Sequence, residues 1–295
     1  MNKQTKVWLV LSILLSLTAI GSSCGGGGNN TTNTNANAGG AASGATTKYS
    51  GATGTISGVI NYTGPAVTPR KIDTSADPVC GQANPNLTTE ETVVTDGKLA
   101  NVFVYVKEGS VEGGKKFAEY AWDTPTTPAS LDQKGCQYSP HVMGVMVNQP
   151  ISITNSDKTQ HNIHPTPKRN PEWNKTQGIG QAPIVEKFAQ AETLVPVKCN
   201  QHPWMKAYIG VLRHPLFAVS AANGTYEIKG VPPGTYTVAA WKEGGATGQE
   251  TPMTVTVTAN GTAKADFTFT GSATASGQPS LRMLPALEFP MLSRK

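Results

Sequence analysis

Charge is scarce in this chain. Asp, Glu, Lys and Arg make up 15% of its 295 residues, and the net charge of +5 has no basic run behind it. That excludes the usual electrostatic footprint of a nucleic-acid-binding protein. The pattern HExxH is absent, which removes one common enzyme signature. No amphipathic helix of convincing length can be drawn. The apolar run VWLVLSILLSLTAI has fourteen residues, too few for a comfortable bilayer span. Histidine and cysteine are rare, five and four in all, so their placement carries weight.

What is present favours β structure. There are 31 Gly and 21 Pro, and Thr alternates with Val in several places. GTISGVINY reads as a first strand. ANVFVYVK is apolar on both faces, which predicts a central strand. HVMGVMVNQPISITNSD reads as two strands broken at 148–150. AETLVPVK precedes Cys199, and AYIGVLRH follows Met205. Asn223-Gly224 and Pro232-Pro233-Gly234 are turn signals, the first of hairpin type. MTVTVTANGTAKADFTFT reads as a hairpin turning at Asn260-Gly261, with Met253, Val255 and Val257 on one face and Ala265, Phe267 and Phe269 on one face.

Two lysines followed by the apolar run have the layout of a secretory signal. Cys24, in IGSSC, resembles the lipobox of bacterial lipoproteins, although Gly21 stands where that family usually has Leu. The resemblance implies a signal peptide over 1–23, lipid on Cys24, export, and anchorage to a membrane on the periplasmic or outer-surface side. Residues 24–52, rich in Gly, Asn and Thr, read as a flexible tether. Residues 272–295 show no clear period. About 220 residues remain, enough for two small domains.

An exported protein keeps its disulfides. With Cys24 lipidated, Cys80, Cys136 and Cys199 are an odd set, so one is free or a ligand. Cys80 and Cys136 lie in turn-like, ligand-poor settings and form the natural pair. Pairing of Cys199 with either is the alternative.

KCNQHPWM places Cys199, His202 and Met205 within seven positions. A second cluster, NSDKTQHNIH, holds His161 and His164. Two imidazoles, a thiolate and a thioether favour copper in electron transfer, because such a set compromises between cupric and cuprous preferences. A zinc site from His161, His164, Cys199 and His202 is the rival reading, with Met205 then only packing.

The stretch from CQYSPHVMGVMVNQPISITNSDKTQHNIH to KCNQHPWMKAYIGVLRHP resembles the cupredoxins, most of all amicyanin and the pseudoazurin–plastocyanin group. The resemblance covers roughly residues 130–215. It implies one copper ion held by His161, Cys199, His202 and Met205, with His164 not a ligand and an exposed edge of His202 as electron port. HPTPKRNPEWNKTQGIGQAPIVEK is a long polar insert without a placed equivalent.

FAVSAANGTYEIKGVPPGTYTVAAWKEGG and the TVTVTANGTAKADFTFTG that follows resemble the carboxypeptidase-regulatory-like, or transthyretin-like, β-sandwich. That family's first two strands look like 54–64 and 100–109, which precede the copper segment. The chain therefore reads as all-β: a regulatory-like sandwich of 53–124 plus 216–271, with a Greek-key cupredoxin of 125–215 inserted. A continuous copper domain over 53–215 followed by a sandwich fragment is the alternative.

The function implied is a membrane-tethered, single-electron copper carrier with transient redox partner proteins and no nucleic acid, and not an enzyme. A single further copper site from His141, His164 and His214 is the enzymatic alternative. Copper capture, or glycan or protein binding without redox, is the alternative.

Overall fold

The computed structural model describes residues 47–244 and 248–271. The expected signal peptide, Cys24, most of the tether and the tail lie outside the described residues. Among the described residues no helix is long and apolar enough to cross a membrane.

The first strands are β1 (Gly54–Thr63), β2 (Val94–Thr95), β3 (Lys98–Leu99) and β4 (Phe103–Val111). A short helix, α1 (Pro78–Ala83), lies between β1 and β2. The middle of the chain supplies β5 (Ala129–Lys134), β6 (Gln137–Ser139), β7 (Val142–Met146), β8 (Ile151–Asn155) and β9 (His161–Pro165). It continues with β10 (Lys175–Gln177), β11 (Ile184–Glu186), β12 (Glu192–Lys198) and β13 (Lys206–Leu212). Last come β14 (Phe217–Val219), β15 (Thr225–Val231), β16 (Gly234–Lys242), β17 (Gln249–Val257), β18 (Thr262–Lys264) and β19 (Phe267–Thr270).

Four sheets result. One has the order β15-β1-β3-β2, with β18 and β19 running parallel along β1. The second is β14-β4-β16-β17, the third β10-β9-β12-β13-β7, the fourth β11-β8-β5-β6. The first two sheets draw only on 54–111 and 217–270, and the last two only on 129–212.

Side-chain alternation stacks these sheets in layers. Along β4, Val104 and Val106 enter one core with Ile56, Ile60, Ile228, Val238 and Phe267. Phe103 and Tyr105 face the other way, into a core with Ala239, Trp241, Val142, Leu194 and Leu212. Strand β13 repeats the device: Leu212 joins that second core, while Ile209 and Val211 join a third with Leu131, Ile153, Ile163 and Val197. A strand apolar on both faces belongs to a sheet buried on both faces, and here the two inner sheets pack on each other. Gly144 and Gly210 are register partners on β7 and β13. A Cβ on Gly210 would overlap the Phe103 ring, and one on Gly144 would overlap Phe217. The missing side chains admit the two rings.

The hairpin readings need correction. Strand β17 lies in the second sheet and β18–β19 in the first, so the chain at Asn260-Gly261 crosses between sheets. The same holds at Asn223-Gly224, between β14 and β15. Val255, Val257, Phe267 and Phe269 are all in one core, as the alternation requires. A period of two states which residues point inward. It does not state whether they do so from one sheet or from two facing sheets.

His214 sits in the connection from β13 to β14. Its ring is 5.0 Å from that of Phe117, and its Nδ1 accepts from the Leu216 N–H at 3.2 Å. Burial pushes its pKa down to about 4. The folded state therefore resists a proton that the unfolded chain takes up below about pH 6.5. Stability from this group is complete above that pH and is lost as pH falls toward 4, by up to about 3 kcal/mol. Urea unfolding at neutral and mildly acid pH should show that loss, and His214→Phe should flatten it.

Candidate metal centre

Strand β8 ends at Asn155, and the chain turns back through Asp157 to begin β9 at His161. Asn155 shapes that turn: its side-chain oxygen accepts from the Asp157 N–H at 3.0 Å. His161 is fully buried. Its Nε2 lies 2.9 Å from Asp157 Oδ2, which leaves Nδ1 facing inward. Opposite, the loop between β12 and β13 is closed by its backbone: Cys199 N–H donates to Met205 O, and Met205 N–H to His202 O. This turn carries Cys199, His202 and Met205, all buried.

The two Nδ1 atoms of His161 and His202 stand 2.9 Å apart. Cys199 Sγ is 3.8 Å from His202 Nδ1. One donor atom from each of the three residues falls within a 4.8 Å cluster. Metal–nitrogen bonds of about 2.1 Å and a metal–sulfur bond of about 2.3 Å would close these separations at openings of about 90° and 120°. The donor set therefore fits a single ion. Met205 packs in the same core as Cys199.

The outer nitrogens are held as firmly as the inner ones are aimed. Asp157 Oδ2 takes His161 Nε2, and the same carboxylate accepts the N–H groups of Gly135 and Cys136 at 2.6 and 2.8 Å. His202 Nε2 is 3.0 Å from Asp77 Oδ2. A carboxylate on the distal nitrogen fixes the tautomer and raises the basicity of the ligating one.

The charges follow this geometry. Burial works to raise the Cys199 pKa, but hydrogen bonding to His161 and to the surrounding backbone overcomes it and brings the thiol down to about 6. Burial works to lower His161, and Asp157 and Cys199 together hold it up to about 9. Without metal the pocket thus holds a readily ionised thiol beside a basic imidazole, and an entering cation displaces the proton. Burial also works to raise Asp157, and its bonds to His161 and the Cys136 and Gly135 amides leave it lowered.

Cys80 and Cys136 form a disulfide with Cα atoms 5.5 Å apart, and Cys199 is a free thiol. The other histidines are engaged separately. His141 pairs with Glu243 at 2.7 Å and the Lys206 carbonyl at 3.1 Å. His164 lies between Asn200 and Glu172, so the four-ligand zinc set with His164 is not assembled. His141, His164 and His214 do not converge.

One expectation is overturned. The edge of His202 is not exposed: the residue is 4% accessible, covered by Asp77 and by Trp204, whose ring centroid is 5.1 Å away. The covering residue comes from the segment between β1 and β2, far away in the chain. The dipeptide Asp77-Pro78 is a legible helix start, with Asp77 capping α1. Its contact with His202 had no signal in the sequence. Asp157 did, as an acid four residues before a ligand-type histidine. The long insert 164–187 supplies the edge strands β10 and β11, with Gln177 of β10 opposite His161.

These features define a β-sandwich protein with a buried thiol–imidazole pocket. The carboxypeptidase regulatory-like domain family matches residues 206–270. No curated protein matches the chain. Among solved structures, a copper-containing nitrite reductase from Thermus scotoductus SA-01 is similar at 20% identity over 29% of this chain and 22% of that one, with a TM-score of 0.27. A purple cupredoxin from Nitrosopumilus maritimus is similar at 21% identity over 28% of this chain and 98% of its own, with a TM-score of 0.25. A Cu(I) form of an amicyanin variant is similar at 17% identity over 37% and 97%, with a TM-score of 0.26.

Proposed function

We propose that His161, Cys199 and His202, with Met205 as a weaker fourth donor, hold one copper ion, and that the protein carries single electrons. The observation that supports this most directly is the convergence of a free buried thiol and two inward Nδ1 atoms in one pocket. Thiolate and thioether suit cuprous ion, imidazole suits cupric ion, and a rigid set between them makes electron exchange cheap in reorganisation. The chain's own part is to keep that set rigid. Asp157 and Asp77 lock the two rings, the short turn fixes Cys199 against His202, and burial excludes water.

With the His202 edge closed, the path outward runs by Trp204. Its ring packs on His202, its Nε1 donates to the Cys136 carbonyl, and it lines an open cleft of about 300 Å³ with Arg70, Glu90 and His141. Transient redox partners would meet the protein there. Lipid on Cys24 and an exported, periplasmic or outer-surface location complete the proposal.

Copper capture without a redox role is the second reading, and the burial of His202 favours it. Voltammetry on the copper-loaded protein separates the two. A carrier gives a reversible one-electron couple and an intense visible band. A capture protein takes up cuprous ion and gives no reversible couple.

A further inference from the structure

The segment between β1 and β2 belongs by its ends to the outer sandwich, yet its middle lies on the metal centre. Residues 64–93 leave β1, form a bridge between Lys71 and Thr88, and return to β2. At the far end of this loop stands α1, and Cys80 within it is bonded to Cys136, beside the pocket. Asn84 at the end of α1 adds hydrogen bonds toward Gly135 and Gln137.

Asp77 is held by this arrangement from three sides. One carboxylate oxygen, Oδ1, accepts the Val79 N–H at 2.9 Å and caps α1. The other, Oδ2, accepts the Thr159 hydroxyl at 2.8 Å and lies 3.0 Å from His202 Nε2. A residue that served only as a helix cap would have no use for its second oxygen. Here that oxygen is turned onto the imidazole of a residue that is only 4% exposed. The counterpart on His161, Asp157, comes from the same sandwich as the ligands. Asp77 comes from the other one.

We infer that Asp77 is a positioning residue for the metal centre, supplied by the outer sandwich on a strap fastened by Cys80–Cys136, and that it locks His202 and shields its edge from solvent. The inference rests on the metal-binding reading for its effect on the ion. Its effect on His202 is independent of metal. An Nε2 proton donated to Asp77 leaves the Nδ1 lone pair for the ion, and the negative charge favours the higher oxidation state.

The experiment has two arms. In the first, Asp77→Asn retains the shape and the Val79 cap but removes the charge and puts an amide NH2, which cannot accept, where Oδ2 meets Thr159 and His202. Copper-loaded Asp77→Asn should release its ion to a chelator about 10–100-fold faster than the unaltered protein. Its reduction potential should rise, and the metal-free form should remain folded. In the second, metal-free protein is treated with diethylpyrocarbonate and the labelled histidines are located by mass spectrometry. His202 should be protected in the unaltered protein and modified in Cys80→Ala/Cys136→Ala, while His161, held by Asp157, stays protected in both. Unaltered release rate and potential in Asp77→Asn, or a protected His202 in the folded double variant, overturns the inference. If the unaltered protein binds no copper, the proposed function fails on that result, and the labelling arm still decides the role of the strap.

Discussion

Copper-loaded Cys199→Ser is expected to be colourless while keeping the fold of the unaltered protein. The intense visible band of such a centre requires a thiolate bound to the cupric ion, and Cys199 is the one free thiol among the described residues. Serine is close in size, and its hydroxyl can replace the thiol's bond to the Asn162 side-chain oxygen, now 3.3 Å. Packing is therefore conserved while the soft, ionised donor is lost. Removing an outer-shell partner costs about 10–100-fold in affinity, so the loss of the ligand itself should exceed about 100-fold. Met205→Leu should differ in kind. It keeps the thiolate and both imidazoles, so the band persists, and the potential changes because an axial donor tunes it. Absorption spectra and chelator competition on the three proteins provide the check. A coloured serine variant would remove Cys199 from the site.

Phe103→Ala is expected to produce the largest loss of stability. Phe103 is fully buried between the two inner sheets, with ring centroids 5.5 Å from Tyr105 and 5.7 Å from Phe217. It lies over Gly210 and Gly144, which have no side chains to fill the gap it would leave. Truncation of a buried Phe costs about 3–5 kcal/mol. For a folded unit of this size that is a fall of about 10 °C in the melting midpoint. Position adds a second consequence. This core is the one joining the sheets of 54–111 and 217–270 to those of 129–212. Far-ultraviolet dichroism and accessibility of the Cys199 thiol should follow one denaturation curve in the unaltered protein and two in the variant. A single curve with a small shift would show that this core does not couple the sandwiches.

Much of the candidate site was legible because its signals are local. Cys199, His202 and Met205 are close neighbours in the chain, and a turn between two strands suffices to gather them. His161 was reachable because it follows a readable strand and a turn that carries Asp157. The strands were legible for the same reason: apolar runs along β4, β7 and β13 and alternation along β17 record which side chains avoid water. Misreadings arose where a local signal was asked for a long-range fact. Asn260-Gly261 marks a turn, but the partner of β18 is β1, some two hundred residues earlier. An exposed His202 edge was what the cupredoxin resemblance implied, and the residue that covers it is Asp77, separated from it by 125 positions.

By itself the sequence determined that the protein is built of strands and that its soft donors lie together. Such properties follow from composition, periodicity and short-range spacing, which act through neighbours along the chain. Only the tertiary structure decided that four sheets stack on three cores, that Gly144 and Gly210 make room for rings from the other sandwich, and that a loop of one sandwich seals the pocket of the other. Those outcomes depend on which buried surfaces meet, and that is settled by packing and by the disulfide between segments that no local pattern connects.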